Sequence, residues 1–213
     1  MIFPRSTAPQ LALYFTVLVY VSGIIGMQSA WRDWFISMTP FTLLLSTAVL
    51  LWHQPIFTTR THAWAAGAFL IGFSSEVLGI NTGLIFGDYS YGTALGPKIW
   101  GTPPMIGINW LLVTYVVNEV VWRVLPASVP ALAGAALAAL GCTALDYLVE
   151  PGAISLGYWT WQTGLPPFEN YTGWFFVSLV VSIMYAKTMS PGLRNAAAPW
   201  LLALQILFFA VIR

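Results

Sequence analysis

The residues of this chain best able to do chemistry are carboxylic acids in apolar surroundings. Asp146 and Glu150 lie four positions apart near the end of one apolar run, Glu76 lies inside another run, and Asp88 lies in the loop after it. Residues i and i+4 share one face of a helix, so Asp146 and Glu150 point the same way, about 6 Å apart along the axis. Neighbouring carboxyl groups can share a proton and act as general acid and general base. The spacing therefore predicts proton-transfer chemistry.

The other ionisable residues favour structural roles. Glu119 is followed by Arg123 at i+4, which predicts an ion pair on a helix. His53 and His62 share one short connection, and two histidines alone are a weak metal site, so we interpret them as residues of the membrane interface. No metal site is predicted. Lys98 is the one basic residue near the four acids in sequence, so at least one of these acids is expected to lack a cationic partner.

The elements that carry the acids are expected to be membrane-spanning helices. The chain has 213 residues, of which 58% are hydrophobic and only 7% charged, whereas about a quarter of a soluble domain is charged. A net charge of +1 provides no basic face for nucleic acid. Runs of about 20 apolar residues mark seven candidate spans, at 10–29, 33–52, 63–83, 103–124, 130–150, 172–189 and 196–212.

We therefore predict an all-α fold, a polytopic membrane helix bundle with about seven transmembrane helices. Residues 1–213 are expected to form a single integral membrane domain, located in the cytoplasmic (inner) membrane of a bacterium. The only cysteine, Cys142, lies in an apolar run and has no partner for a disulfide. Ionisable groups at membrane depth are costly, so Glu76, Asp146 and Glu150 are interpreted as functional unless they pair or cap a helix.

Two loops at 84–102 and 151–171 contain many aromatic residues, prolines and glycines. In the seven-span topology both loops fall on the same side of the membrane, next to the acids. Aromatic residues at such positions can form an interfacial belt. Taken together, however, the two loops favour a roof over a binding pocket. The glycines of "NTGLIFGDYSYG" do not form a dinucleotide motif, because the stretch neither follows a strand nor opens a helix.

Two segments resemble the membrane carotenoid biosynthesis family typified by CruF, the carotenoid 1′,2′-hydratases. They are "EVLGINTGLIFGDYSYGTALGPKIWGTPPMIGINW" (76–110) and "DYLVEPGAISLGYWTWQTGLPPFENYTGW" (146–174), about a third of the chain. The chain departs from the family at "LPPFEN", where members often have "YYGVP", and this concerns the end-group preference more than the chemistry. The matching positions are Glu76, Gly83, Gly87, Tyr89, Tyr91, Pro97, Trp110, Asp146, Glu150, Pro151, Trp159, Trp161, Asn170 and Trp174.

The resemblance implies addition of water to the terminal C1=C2 double bond of an acyclic carotenoid taken from the lipid bilayer. That reaction needs no cofactor. The expected partners are the carotenoid and the membrane lipids, with no nucleic acid, and the oligomeric state is left open. We assign the acid–base set to Asp146, Glu150 and Glu76, with Asp88 as a fourth candidate. Asp146 is the expected proton donor, Glu150 the group that holds water, and Glu76 the group that orients or shares the proton. Residues expected to bind the substrate are Tyr89, Tyr91, Trp110, Trp159, Trp161, Asn170 and Trp174.

Three other functions remain open from the residues alone. The same carbocation would close a ring, as in membrane lycopene cyclases, if the C5=C6 bond attacked it in place of water. A non-enzymatic carotenoid-binding membrane protein would need the aromatic residues but not the acids. A proton-coupled transporter would use the acids as relays, although their position towards one membrane face argues against a continuous path.

Overall fold

The computed structural model describes residues 8–189 and 194–212. These residues form eight helices and two short strands, and the all-α membrane bundle predicted from the sequence is confirmed. The elements are α1 (Ala8–Gly26), α2 (Arg32–Ser37), α3 (Thr39–Trp52), α4 (Thr59–Thr82), β1 (Tyr89–Tyr91), α5 (Met105–Val124), α6 (Ala131–Ser155), β2 (Trp159–Trp161), α7 (Phe168–Thr188) and α8 (Ala198–Val211). Helix α5 packs against α3, α4, α6, α7 and α8 and is therefore the central helix of the bundle.

Four helices, α1, α4, α5 and α6, are long and apolar enough to cross a membrane. Helices α3 and α8 are also apolar but have only 14 residues each. The protein is thus an integral membrane protein, but the predicted count of seven spans is not confirmed. Because α5 is buried by its neighbours while α1 is mostly exposed, the two helices differ in how much lipid they meet.

The predicted span 33–52 is not one helix. Helix α2 ends at Ser37, α3 begins at Thr39, and Met38 lies between them as the cap of both. The cause is Pro40 in the first turn of α3. Proline lacks a backbone N–H, and inside a helix its ring clashes with the carbonyl four residues earlier. Helix α2 contacts both α1 and α3.

Helix α6 is longer than predicted, because it continues through Pro151 to Ser155. The proline removes one backbone hydrogen bond without ending the helix. Glu150 therefore lies more than one turn inside α6 rather than at its boundary. Helix α4 begins at Thr59, four residues earlier than predicted, because Thr58 and Thr61 form a reciprocal capping box.

Two glycines shape the connection from α4 to β1. Gly83 ends α4 in the left-handed conformation, with φ of 69°, which costs glycine nothing and most residues about 1 kcal/mol or more. Gly87 has φ of 88°, and a Cβ there would lie 2.6 Å from the ring of Pro167. The stretch therefore ends a helix and enters a strand, in agreement with its interpretation as unrelated to a dinucleotide motif.

The two aromatic loops meet as an antiparallel ribbon that the sequence did not predict. In β1 and β2, Tyr89 pairs with Trp161 and Tyr91 pairs with Trp159. Alternate residues of a strand point to the same face, so these four aromatic rings share one face of the ribbon. The prediction that both loops lie together at one end of the bundle is confirmed.

Candidate active site

Glu76 is held by three neutral donors. The hydroxyl of Tyr91 donates to its Oε2 at 2.6 Å, the hydroxyl of Tyr89 donates to the same oxygen, and the indole Nε1 of Trp110 donates to Oε1 at 3.0 Å. The tyrosines come from β1, and Trp110 comes from the second turn of α5. The side chain of Glu76 is 4% exposed, so these bonds replace the water that the carboxylate would otherwise bind.

Glu150 is held by the opposite strand of the ribbon. Its Oε2 accepts the indole N–H of Trp159 at 3.0 Å and that of Trp161 at 2.9 Å. Its Oε1 lies 3.3 Å from Nδ2 of Asn170. Both tryptophans therefore face inward with their polar atoms, whereas tryptophans of an interfacial belt place their polar edge towards water.

Asn170 connects the two acids of α6. Its Nδ2 donates to Oδ2 of Asp146 at 2.9 Å and also approaches Glu150. Asn170 lies in the first turn of α7, which packs closely against α6. One amide group thus fixes both carboxyl groups, and the second oxygen of Asp146 accepts no hydrogen bond from the described residues.

The three carboxyl groups of the site have no cationic partner in the part of the chain that the structure describes. No lysine or arginine of residues 8–189 and 194–212 lies within salt-bridge distance of them. The ammonium group of Lys98 instead donates to the backbone carbonyl of Tyr91. Burial, with the nearby charge of Glu76 as a second cause, raises the pKa of Tyr89 and Tyr91 well above the usual value of 10.0. The two phenols therefore remain protonated donors at neutral pH.

A small polar cavity lies among the three acids. It has a volume of about 20 Å³, and a buried water molecule needs at least about 10–15 Å³ of such space and two to four polar partners. There is room for about one water molecule. Its walls are formed by the three acids, by their tyrosine and tryptophan donors and by a few neighbouring residues. The lining residues are Glu76, Phe86, Tyr89, Tyr91, Ile106, Asn109, Trp110, Asp146, Glu150, Trp159, Trp161, Asn170 and Trp174.

A larger cavity of about 240 Å³ lies beside the first and is mostly apolar. Helices α1, α2, α3, α5, α6, α7 and α8 contribute to its walls. Trp34, Met38 and Phe41 line it and are also exposed on the outside of the bundle. The cavity therefore reaches the apolar outer surface at the break between α2 and α3.

Asp146 lines both cavities, as do Ile106, Asn109, Trp159 and Trp174. Glu76 and Glu150 line the small polar cavity and are not among the residues that line the large one. An apolar ligand in the large cavity would thus meet Asp146 first among the acids. The ring of Trp174 stacks on that of Trp110, with centroids 4.0 Å apart and an angle of 15° between the planes.

The family described as "Carotenoid biosynthesis protein" matches residues 38–212. The chain belongs to this carotenoid biosynthesis family. It is also 24% identical over 178 residues to the bisanhydrobacterioruberin hydratase of Haloarcula japonica, a match that covers 80% of this chain. The chain spans only 59% of that relative's length. No solved structure matches this chain.

Most of the site residues predicted from the sequence of this carotenoid biosynthesis protein lie together. Glu76, Asp146 and Glu150 line the small polar cavity with all seven predicted binding residues, Tyr89, Tyr91, Trp110, Trp159, Trp161, Asn170 and Trp174. Asp88 does not join them. Its side chain is exposed and lies beside Gly83 at the end of α4, and its backbone carbonyl accepts the N–H of Gln162.

Sequence reasoning missed Asn109. Its side chain lines both cavities and makes no hydrogen bond to the part of the chain that the structure describes. A polar residue directly before Trp110, in the first turns of an otherwise apolar helix, was the available signal. That it lines the same two cavities as Asp146 could not be read from a separation of 37 residues along the chain.

The ion pair predicted for Glu119 is confirmed, with Oε2 lying 4.0 Å from Nη2 of Arg123. Glu119 is more deeply buried than an interfacial pair would be, at 3% exposure. The histidines sit near helix ends, where Nδ1 of His53 and Nδ1 of His62 each lie 2.8 Å from the backbone carbonyl four residues earlier.

Proposed function

We propose that this protein is a carotenoid hydratase that adds water to the terminal C1=C2 double bond of an acyclic carotenoid. The observation that carries the proposal is the position of Asp146 where an apolar cavity meets a polar cavity of water size. Membership of the carotenoid biosynthesis family supports the substrate class. The name of the Haloarcula relative supports hydration.

The large cavity suits one end of a polyene. It is lined mainly by apolar residues and reaches the outer surface at Trp34, Met38 and Phe41, so a carotenoid could enter from the bilayer without crossing water. A volume of about 240 Å³ is below the roughly 300–1,000 Å³ of typical ligand pockets. The cavity therefore fits an end group, and the rest of the polyene would remain in the lipid.

In the first chemical step, we propose that the carboxyl group of Asp146 transfers its proton to C2. The alkene electron pair forms the new C–H bond, and C1 becomes a tertiary carbocation. Trp159 and Trp174 line the cavity together with Asp146, and the π electrons of an aromatic face attract a cation within about 6 Å. These rings would stabilise the cation while excluding other nucleophiles.

In the second step, water from the small polar cavity forms the C–O bond at C1. The added water then gives up one proton to a carboxylate, and we propose Glu150 as the acceptor. This proton returns from Glu150 to Asp146, which restores the proton donor. Glu76, held by Tyr89, Tyr91 and Trp110, orients the water or shares the proton. The balance is one alkene plus one water giving one tertiary alcohol, so the reaction requires no redox or nucleotide cofactor.

The partners and location proposed are those expected from the sequence. The carotenoid and the surrounding lipids are the proposed partners, with no role for nucleic acid. The cytoplasmic membrane of a bacterium stays a prediction, as does a single domain over residues 1–213.

The test is the mass of the pigments made by a lycopene-producing host with and without this protein. A gain of one water per modified end supports hydration. An unchanged mass with a shifted absorption spectrum supports cyclisation. Unchanged pigments, with the protein inserted in the membrane at normal levels, contradict both enzyme functions and favour a carotenoid-binding protein or a transporter.

A further inference from the structure

Asn109 is a polar residue that lines both cavities and has no part in the proton transfers. It lies in α5, between the acid site and the apolar space. Ile106 and Val113, three residues before it and four residues after it, also line the large cavity. Residues at these spacings share one face of a helix. This face of α5 is therefore turned towards the ligand space, and Asn109 lies on it.

The polar atoms of Asn109 are open and lack partners in the described part of the chain. The side chain makes no hydrogen bond to residues 8–189 or 194–212. The residue is only partly buried, and neither Oδ1 nor Nδ2 is among the fully buried side-chain atoms that lack a partner. Both atoms therefore keep accessible surface and are available to a small polar molecule beside them.

The other polar side chains that line the small cavity are already engaged. The two tyrosines of β1 and Trp110 donate to Glu76, the two tryptophans of β2 donate to Glu150, and Asn170 donates to both acids of α6. An indole or a phenol has one proton to donate, so these rings have none left for a ligand. An asparagine side chain offers one acceptor oxygen and two N–H groups, and those of Asn109 remain available.

We propose that Asn109 holds the water molecule that captures the carbocation, and that it thereby directs the reaction to hydration. This inference rests on the proposed function, because it takes the cation at C1 as given. The attacking water must turn a lone pair towards C1, so its two O–H bonds need acceptors. Oδ1 of Asn109 is one acceptor and a carboxylate of the small cavity is the other, which supplies the two polar partners that a buried water needs.

Without a held water molecule, the cation has a different outcome. It loses a proton to a carboxylate, either from C2 or from a methyl group on C1, and the C–H electron pair forms an alkene again. Capture by water forms a C–O bond instead and also releases one proton to a carboxylate. Both routes therefore return the proton that Asp146 supplied. Asn109 decides the division between the two routes, and it does not affect the transfer of the proton to C2.

Deuterium distinguishes the two steps. Purified protein in detergent is given lycopene in D₂O, and the initial rates are measured by mass spectrometry of the extracted pigments. The exchanged carboxyl group of Asp146 places deuterium on C2, where it is retained as a C–D bond. Hydrated product measures capture by water. Deuterium in carotenoid that has gained no water measures cations that lost a proton instead.

Asn109→Leu keeps the approximate size of the side chain but removes both the donor and the acceptor. We expect hydrated product per folded protein to fall about 10- to 100-fold, because a misplaced reactant can cost about 100-fold in rate. Deuterium in the unhydrated carotenoid should persist, so its ratio to hydrated product should rise at least about tenfold. Asn109→Asp keeps an acceptor oxygen at the same position and should retain more hydration than the leucine variant.

Thr114→Val is the matched control on the same helix. Thr114 is buried, is not among the residues that line the two cavities, and donates its hydroxyl to the backbone carbonyl of Trp110. Valine has nearly the same shape without the hydroxyl, and such a bond to the helix's own backbone adds little stability. The substitution removes a polar group from α5 outside the ligand space, so hydration and the deuterium ratio should both stay within about twofold of the unaltered protein.

Three results would overturn the inference while leaving the proposed function intact. One is hydration by Asn109→Leu within about twofold of the unaltered protein. Another is a parallel loss of hydrated product and of deuterium in the unhydrated carotenoid, which would place Asn109 in the protonation step or in the structure. The third is an aspartate variant that hydrates no better than the leucine variant. If the unaltered protein makes no hydrated product, the proposed function itself is contradicted, and the inference with it.

Discussion

The described residues contain buried carboxyl groups near both ends of α5, a cluster of three near one end and Glu119 near the other, and the two sites are built differently. Near Trp110, the cluster of Glu76, Asp146 and Glu150 is held by neutral donors and lines cavities. Nine residues later in α5, Glu119 accepts the backbone N–H of Asn195 at 2.9 Å and the hydroxyl of Tyr185, and it lies 4.0 Å from Arg123.

The two sites distinguish an acid with structural partners from the acids for which we propose a chemical role. Both clusters are buried and hydrogen-bonded, so burial alone does not distinguish them. Glu119 has a guanidinium partner and holds the backbone that leads into α8, and it is not among the residues that line the two cavities. The other cluster has space for a ligand and for water. A carboxyl group must reach its substrate to transfer a proton, and only the arrangement around Glu76, Asp146 and Glu150 allows this.

The largest effect is expected for Asp146→Asn. The amide keeps the shape of the side chain but cannot donate the proton, and general acid catalysis typically contributes 10²- to 10⁴-fold. We expect hydrated product per folded protein to fall at least about 100-fold, measured as pigment mass in a lycopene-producing host. Carotenoid binding by the purified variant should be retained.

Glu119→Gln is the matched control for Asp146→Asn. It should lower the free energy of unfolding by about 1–3 kcal/mol. The reason is that an amide cannot satisfy both Arg123 and the N–H of Asn195 as a carboxylate does. Product per folded protein should stay within about twofold. Comparable loss of turnover in both variants would remove the distinction between the two clusters, and near-normal turnover in Asp146→Asn would contradict the proposed mechanism.

Glu76→Gln and Glu150→Gln are expected to have the next largest effects. Both oxygens of each carboxyl group accept hydrogen bonds, whereas a glutamine side chain offers only one acceptor oxygen. One N–H or O–H donor must lose its partner, in addition to the loss of the ionisable group. We expect a fall of about 10- to 1,000-fold in hydrated product.

Glu76→Asp and Glu150→Asp separate charge from position. Each keeps an ionisable carboxyl group but withdraws it by one methylene, so partial activity is expected. Equal activity of the amide and aspartate variants at both positions would show that ionisation is unimportant and that these acids serve only the structure.

A smaller effect, about tenfold, is expected for Trp159→Phe and Trp161→Phe. Phenylalanine keeps an aromatic face but removes the N–H that holds Glu150, which contributes roughly 1.5–3 kcal/mol when the acceptor is charged. The corresponding leucine variants also remove the aromatic face and should lose more activity. Trp200→Leu, at an exposed position, is the control and should have little effect. Full activity in both leucine variants would restore the interpretation as an interfacial belt.

An effect on alkaline stability is expected at Tyr158, beside the ribbon. Burial raises its pKa from 10.0 to about 12, and its hydroxyl is bonded to Thr39 Oγ1 at 2.8 Å. The unfolded tyrosine ionises first, so the contribution of this group is complete below about pH 10 and is lost as the pH rises through 12, by roughly 2–3 kcal/mol. Comparing thermal unfolding of Tyr158→Phe and the unaltered protein from pH 8 to pH 12 tests this. Equal pH dependence would contradict it.

The smallest effect is expected for Asp88→Asn. The exposed side chain of Asp88 lies outside the residues that line the cavities, so hydrated product should change less than twofold. Its backbone carbonyl, which receives the N–H of Gln162, is unaffected by the substitution. A loss comparable to that of Glu76→Gln would show that the site extends to the outer edge of the ribbon.

The sequence by itself determined the membrane class and singled out most of the acids and aromatic residues that the structure brings together around one cavity. Apolar runs of span length report the lipid environment, because the bilayer imposes a length and a composition on each helix. The pairing of Asp146 with Glu150 was also local, since i and i+4 positions share a helix face whatever surrounds them. The aromatic residues of both loops could be assigned to one end of the bundle from span order alone.

The tertiary structure alone decided how these residues meet. The ribbon of β1 and β2, the bridge from Asn170 to both acids of α6 and the exclusion of Asp88 depend on contacts between distant segments. The cavity reaches the outer surface at the break around Met38, but α1 supplies part of the cavity wall. The position of α1 relative to that break could not be read from the sequence. Cavities have no sequence pattern of their own, because they are the space left when side chains from several helices pack together. Asn109 acquired its significance only from that space.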